Sequence, residues 1–366
     1  MQTFDDYKSK ISIIQLLEDI GYRQDKKDGK ISPVFKLKND KGEKLDEVVI
    51  KNPGTPNERY FDRNYHGGDL IQFVKNHIND FPQFNHPNLF VRINMILGHY
   101  SNTPYTPKND VYKAEKTNRG IGERYQELKP AVTDLRYLTK ERGLSYQTVE
   151  TFLPHIRLVK DLEAGNNYKN IAFPYVNPSS GEKVTNYEMR NFGYKGMAAG
   201  GDKSSSLWLA DFSPHSSMAK HIYFAESALD AMSYYELNRS KIKLDESVFC
   251  SVGGYISEKQ ITNALAKYPN ASVHTLFDND LNGNIYDIKV MGIMAGVPVN
   301  IKEKDGMIEF TTPKGTFSLD KEKVSIEKFR EGAHFNAPLQ VHKANDGKDF
   351  NEILQKKNSH NQKMKL

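Results

Sequence analysis

At 366 residues the chain is long enough for two or three domains with cores of their own. Hydrophobic residues make up 38% and charged residues 27%, with a net charge of +5, the balance of an ordinary soluble protein; the charge permits a nucleic-acid partner without demanding one. No apolar run approaches the roughly 18 residues of a membrane span. The single cysteine, Cys250, excludes an internal disulfide framework and fits a reducing cytosol. It lies in the apolar run from Ser247 to Val252 and reads as a small buried hydrophobe rather than a nucleophile. The first residues, MQTFDDYKSK, lack the basic-then-apolar pattern of an export signal, so the cytoplasm is the expected location.

Over residues 4–21, Ile11, Ile13, Ile14, Leu16, Leu17 and Ile20 recur between charged residues, which predicts an amphipathic helix ending at Gly21. Strand-like pieces follow around Val34-Phe35 and from Glu47 to Ile50. YFDRNYHGGDLIQFVKNHI then reads as a strand, a Gly67-Gly68 turn and an apolar-faced helix. From Ser101 to Tyr125 the chain is polar, with Pro104 and Pro107, and reads as a linker, so residues 1–100 are expected to form a first domain. A second unit is expected over 126–215. In it, DLRYLTKERGLSYQTVETF predicts two helices broken at Gly143-Leu144-Ser145, the second capped by Ser145. IAFPYVNPSSGEKVTNYEMRNF predicts a β-hairpin turning at PSSG. GYKGMAAGGDKSSSLW nearly spells a phosphate loop, but Asp202 separates Gly201 from Lys203 and a hairpin leads in, so the context of that motif is missing. A mobile basic loop is the expectation there.

Two acidic clusters follow. His221–Phe224 reads as a buried strand and Ser227 onward as a helix, which puts Glu226 at the strand's end and Asp230 one turn further on. HTLFDNDLNG is a second apolar strand ending in carboxylates, and Asp278 and Asp280, two apart, leave the same face of an extended chain. Three or four carboxylates at the ends of neighbouring strands make a hard-oxygen site suited to Mg²⁺ or Mn²⁺. Ser227-Ala-Leu-Asp230 also fits a capping box, and Asp278 to Gly283 fits a turn or the first half of a calcium loop, although the twelfth position of that loop is Lys289. Residues 216–358 are expected to form an alternating strand–helix domain with an inserted hairpin over 300–340, and 359–366 a frayed basic tail.

Taken in order, these clusters resemble the TOPRIM domain, whose members pair a Glu after one strand with an Asp-x-Asp after another. SVGGYISEKQI between them and Asp346-Gly-Lys-Asp349 followed by FNEIL resemble the bacterial-type DNA primase branch, as does the segment around Arg142-Gly143-Leu144-Ser145. The first domain resembles the zinc-ribbon module that opens such primases, through Gly67-Gly68-Asp69 and the helix after it. Ser32-Pro33 stands where that module has a cysteine and proline, and no cysteine is present there. A ribbon site needs four soft or imidazole ligands, and His66, His77, His86 and His99 have no matching spacing, so no zinc is expected and core packing would hold the sheet.

The resemblance implies an α/β chain, α+β taken whole: a zinc-free ribbon-like module, then a primase core with a TOPRIM parallel sheet flanked by helices. It implies a metal-dependent nucleotidyltransferase making short primers on single-stranded DNA from ribonucleoside triphosphates. Glu226, Asp278 and Asp280 would be catalytic and hold the metal, Asp230, Asp346 and Asp349 would tune the site or hold a further ion, and Arg190, Lys195 and Lys203 would bind template or nucleotide. The shortness of the chain after the late acidic segment and the missing zinc ligands point to a plasmid, conjugative element or phage, with a helicase or relaxase as partner. The competing readings are a TOPRIM-type nuclease and an inactive single-stranded DNA-binding mobilisation protein.

Overall fold

In the computed structural model, which describes residues 3–25, 32–62, 67–103, 120–164, 167–181, 183–304 and 306–363, the periodic stretch 4–21 forms two helices, α1 (Phe4–Lys10) and α2 (Ile13–Asp19). Thr3 and Asp6 cap the first reciprocally. The break comes from a distant residue. The buried carboxylate of Glu58 accepts from Ser12 Oγ and from the amides of Ile13 and Gly54, taking up donors at the start of α2. Periodicity shows an apolar face, not where a remote carboxylate will open a second helix start.

The chain divides into two compact units, residues 1–116 and 117–366. In the first, strands β1 (Arg23–Asp25), β2 (Val34–Lys38), β3 (Lys44–Lys51), β4 (Arg59–Asp62) and β5 (Gly67–Gly68) form an antiparallel sheet in sequence order. Helices α3 (Leu70–Asn76) and α4 (Leu89–Asn102) follow. Phe35, Val48, Ile50 and Tyr60 from the sheet join Leu16, Leu17, Phe73 and Leu97 in one buried core. Asp69 of the Gly-Gly-Asp run caps α3 and pairs with Lys8 at 2.9 Å. Three of the four histidines weighed as zinc ligands have other partners: His77 stacks on Phe73, His86 accepts from the Asn88 amide, and His99 packs on Phe84. His66 lies outside the described residues, as does most of the expected 101–125 linker. The division between the units falls within that linker.

The second unit opens with α5 (Ile121–Arg124) and β6 (Tyr125–Leu128), then a single π-type turn over Tyr137–Glu141 and α6 (Tyr146–Phe152), capped by Ser145. Strands β7 (Arg157–Asp161), β8 (Lys169–Val176), β9 (Val184–Asn191), β10 (Tyr194–Met197) and β11 (Leu207–Asp211) are antiparallel. Then strand and helix alternate: β12 (His221–Ala225), α7 (Ala228–Asn238), β13 (Ser247–Ser251), α8 (Glu258–Lys267), β14 (Ser272–Leu276) and α9 (Leu281–Ala295). A separate antiparallel sheet, β15 (Asn300–Lys304), β16 (Met307–Thr312) and β17 (Gly315–Asp320), precedes α10 (Ile326–Ala333), so the insertion expected as a hairpin has three strands. Strand β18 (Leu339–Val341) and α11 (Phe350–Lys363) complete the unit, and α11 carries helix into the expected tail. No helix among the described residues is long and apolar enough to cross a membrane.

One ten-stranded sheet joins the stretches 126–215 and 216–358, in the order β10-β9-β8-β11-β13-β12-β14-β18, with β7 beside β8 and β6 beside β7. The boundary expected near 215 therefore falls inside a continuous ladder, where β11 pairs with β8 on one edge and β13 on the other. Strands β13, β12, β14 and β18 are parallel. Because β12 connects to β13 on one side and β13 returns past it to β14 on the other, right-handed crossovers place α7 and α8 on opposite faces. Tyr223, Phe249 and His274 stack on the α7 face, which α6 and α11 also cover through Phe152 and Phe350. The strand order reverses between β12 and β14, and a crevice opens at the carboxyl ends of strands at such a point.

Candidate metal centre

The acidic side of the crevice is built from the segments that follow the parallel strands: Glu226 after β12, Gly253 and Gly254 after β13, Asp278 after β14, and Lys348 and Asp349 after β18. Asp230 enters from the first turn of α7, where Ser227 Oγ donates to its carboxylate at 2.6 Å. Asp230, Asp278 and Asp349 each bring a carboxylate oxygen within 4.8 Å of the others. Glu226 sits beside them and accepts from the Asp278 amide at 3.3 Å. The segment carrying Asp349 is stitched to the Asp-x-Asp loop, since the Asn279 amide donates to Lys348 O at 2.7 Å and Asn279 Nδ2 to Ala344 O at 3.3 Å.

Crowded carboxylates out of water resist ionisation. Burial, then the charges of Asp278, Asp230 and Asp280, push Glu226 up to about 8. Burial and then Asp349 push Asp230 up to about 7. Asp278 is raised by burial, against which the Lys348 ammonium, 3.4 Å away, works. An oxygen-only, negatively charged, partly desolvated donor set fits a hard divalent cation.

The cleft, about 230 Å³, has a basic wall facing the acids, made by Arg142, Arg190, Lys195 and Lys348. Arg190 and Lys195 are cross-strand neighbours on β9 and β10. The Arg190 guanidinium is buried and held by Glu188 at 2.5 Å, whose second oxygen accepts from Tyr175 and Ser251 at 3.0 Å each. Ser251 Oγ also reaches Glu226 O at 3.2 Å, so this network runs to the backbone of the acidic cluster.

Residues 223–307, which contain Glu226, Asp230, Asp278 and Asp280, match the family model described as Toprim-like. The chain carries a Toprim-like domain. Residues 136–210 match a second family model, described as a protein of unknown function (DUF3991). No curated protein matches the chain significantly. Among solved structures, the primase fragment of the bacteriophage T7 primase-helicase protein aligns at 15% identity, over 54% of this chain and 72% of that one, with a TM-score of 0.33. The primase domains in the bacteriophage T7 lagging-strand DNA polymerase structure, bound to an RNA/DNA hybrid and dTTP, align at 17% identity, over 47% and 78%, with a TM-score of 0.31.

Within and beside this Toprim-like domain the anticipated residues separate. Glu226, Asp230, Asp278 and Asp349 gather, and Arg190 and Lys195 face them. Asp280 stands at the rim, its carboxylate capping α9 through the Gly283 amide at 3.0 Å and lying 3.8 Å from Lys348. Asp346 is exposed and outside the cleft lining, because the turn before α11 points it outward. Lys203 does not line the cleft either, although it lies just behind it. Its ammonium donates to the carbonyls of Val252, Gly253 and Tyr255 at 3.3, 2.7 and 3.1 Å, so the segment read as a mobile basic loop is anchored. Burial pulls Lys203 down to about 8. Arg142, Glu188 and Lys348 are site residues the sequence reading did not single out. Lys348, inside the quoted Gly-Lys-Asp run, had a positional signal, whereas Glu188 reaches the cleft through the sheet and Arg142 through the packing of its turn on α11, where Asn351 donates to its carbonyl.

Gly283 lies in the first turn of α9, not in a turn of its own: a Cβ there would stand 2.0 Å from Asp278 O. Replacing it with alanine must displace the Asp278 backbone. Gly283→Ala is expected to weaken divalent-cation binding about tenfold or more, the scale of disturbed supporting contacts at metal sites, and calorimetric titration checks this.

The raised carboxylates also set a pH dependence. Between the ordinary carboxylate range and the folded values of about 7 for Asp230 and about 8 for Glu226, the folded chain holds protons the unfolded chain has released. Stability of the metal-free protein therefore falls as pH rises through that window. Thermal melts should show the contribution of the cluster as a Tm a few degrees lower at pH 8 than at pH 5.5. Mg²⁺ or Mn²⁺ should recover more of it at pH 8 than at pH 5.5.

Proposed function

We propose that the chain is a primase-like, metal-dependent nucleotidyltransferase that synthesises short primers on single-stranded DNA from ribonucleoside triphosphates. The observation that carries this reading is the cleft itself, in which gathered carboxylates face a wall of arginine and lysine side chains. A site that takes a triphosphate beside a polynucleotide needs both: acidic groups for a divalent cation and cations for phosphate oxygens. Asp230, Asp278 and Asp349, with Glu226 beside them, would hold Mg²⁺ or Mn²⁺. A divalent cation bound there supplies Lewis-acid charge to the phosphoryl groups and lowers the barrier to in-line displacement. Lys195, exposed on β10, and Lys348, at the rim, are placed to take phosphate oxygens. Arg190, fixed by Glu188, contributes a stationary positive field at the inner wall. Asp280 orients α9 and keeps the Asp-x-Asp loop closed over its first turn.

The cysteine-free first unit supports a place outside the zinc-bearing primases, in a plasmid, conjugative element or phage, with a helicase or relaxase of that element as partner. The reading is tested by primer synthesis on single-stranded DNA with labelled ribonucleotides and Mg²⁺ or Mn²⁺. Short products that require both metal and triphosphates support it. Template degradation without synthesis would assign the same carboxylates to a nuclease, and DNA binding with neither reaction would make the chain a binding protein.

A further inference from the structure

We propose that Tyr255 and Lys289 form a shelf that seats a nucleotide of single-stranded nucleic acid beside the metal cleft, the tyrosine stacking on the base and the lysine meeting the phosphate. The proposal rests on the nucleic-acid reading above and adds a binding site that lies outside the acidic cluster.

Tyr255 is 65% exposed, unusual for an aromatic ring on an anchored loop. Its backbone is fixed in three ways. Gly253 and Gly254 turn the chain in the left-handed region, at φ of 74° and 85°. Their amides donate to Glu226 O at 3.0 and 2.9 Å. Lys203 clamps the carbonyls on either side, including that of Tyr255. A Cβ on Gly253 would meet Tyr175 Oη at 2.6 Å, so this turn has no room to relax. A rigid loop that holds an apolar ring in water is preorganised for a flat ligand.

The Lys289 ammonium lies 5.0 Å from the Tyr255 ring centroid and 5.8 Å from that of Tyr286, and makes no ion pair among the described residues. A cation parked on aromatic faces and left without a carboxylate is available to a phosphate. Both residues line a groove of about 630 Å³ between α8 and α9, in which Glu258 is the single carboxylate among the lining residues. The groove adjoins the metal cleft along the chain: Gly253 and Gly254 line the cleft, and the next two residues, Tyr255 and Ile256, line the groove. The buried Tyr286 ring packs between the two segments, 6.5 Å from Tyr255 and 5.5 Å from Phe277, the residue before Asp278. Stacking tolerates any base, and a lone lysine reads charge rather than sequence, so the shelf suits a strand passing the site in any sequence.

Fluorescence anisotropy of a labelled oligo-deoxythymidine with the full chain, without nucleotides, tests this. Tyr255→Ala is expected to weaken binding about tenfold and Tyr255→Phe to keep it within about twofold, because the ring and not the hydroxyl stacks. Lys289→Met should lower the slope of log affinity against log salt by about 0.7. Tyr146→Ala, which removes an exposed ring on α6, should bind as the wild type. Wild-type affinity in Tyr255→Ala overturns the shelf and leaves the proposed function standing. Equal losses in Tyr255→Ala and Tyr255→Phe also overturn it, since stacking survives the second change. A wild-type chain that does not bind the oligonucleotide overturns the nucleic-acid reading and the shelf with it.

Discussion

Asp278→Asn is expected to lower the proposed metal-dependent nucleotidyl transfer by about a thousand-fold, the equivalent of roughly 4 kcal/mol of transition-state stabilisation. The side chain keeps its shape, so what changes is charge. Asp278 belongs to the group whose oxygens lie within 4.8 Å of one another, and its amide supports Glu226. An amide oxygen is a poorer ligand for a hard cation than a carboxylate. The same substitution relieves repulsion, because the Asp278 charge is a cause of the raised values of both Glu226 and Asp230. Stability should therefore hold or rise slightly even though the 3.4 Å pair with Lys348, whose lysine end is exposed, is lost. Activity and thermal melting measured together separate this from unfolding. Near wild-type activity would remove Asp278 from the metal centre.

Glu188→Ala is expected to destabilise the second unit by about 3–5 kcal/mol, the cost of stranding one partner of a buried ion pair. Glu188 and Arg190 are 1% and 4% exposed, and the lost carboxylate also leaves the Tyr175 and Ser251 hydroxyls without their acceptor. Burial, then the charge of Glu188, push the Tyr175 phenol up, so it remains a donor with nowhere to donate except Ser251. Replacing both ends, as Glu188→Met with Arg190→Met, should recover most of the stability, since the desolvation of both charges disappears with the pair. The proposed activity should not recover, because the wall of the cleft then lacks the buried Arg190 cation. Urea denaturation of Glu188→Met, Arg190→Met and the double variant reads the coupling. Additive losses would show that the pair does not act as a unit.

Much of the Toprim-like domain was legible because its signals are local. The apolar run His221–Phe224 followed by Glu226, and the run before Asp278-x-Asp280, place carboxylates at strand ends by alternation alone, and β12 and β14 form where those runs lie. Ser145 and Ser227 are caps in the sequence and caps in the fold, because a cap is a contact over two or three residues.

What the sequence left undecided depends on contacts between residues far apart in the chain. Asp349 and Asp280 look alike as acids near the site, yet Asp349 enters the triad and Asp280 caps a helix. The difference comes from β18 pairing with β14 and from Asn279 gripping the Lys348 backbone. Lys203 reads as a phosphate-binding cation until β11 and β13 pair and bring it under the carbonyls of Val252, Gly253 and Tyr255. Helix α2 starts where Glu58, forty-five residues away from Ile13, supplies an acceptor. The sequence by itself determined which segments become strands and helices and which residue types could hold a cation, since periodicity and capping are local properties of the chain. Only the tertiary structure decided which carboxylates share one site and which cations face them, because strand order brings together residues that no short-range pattern relates.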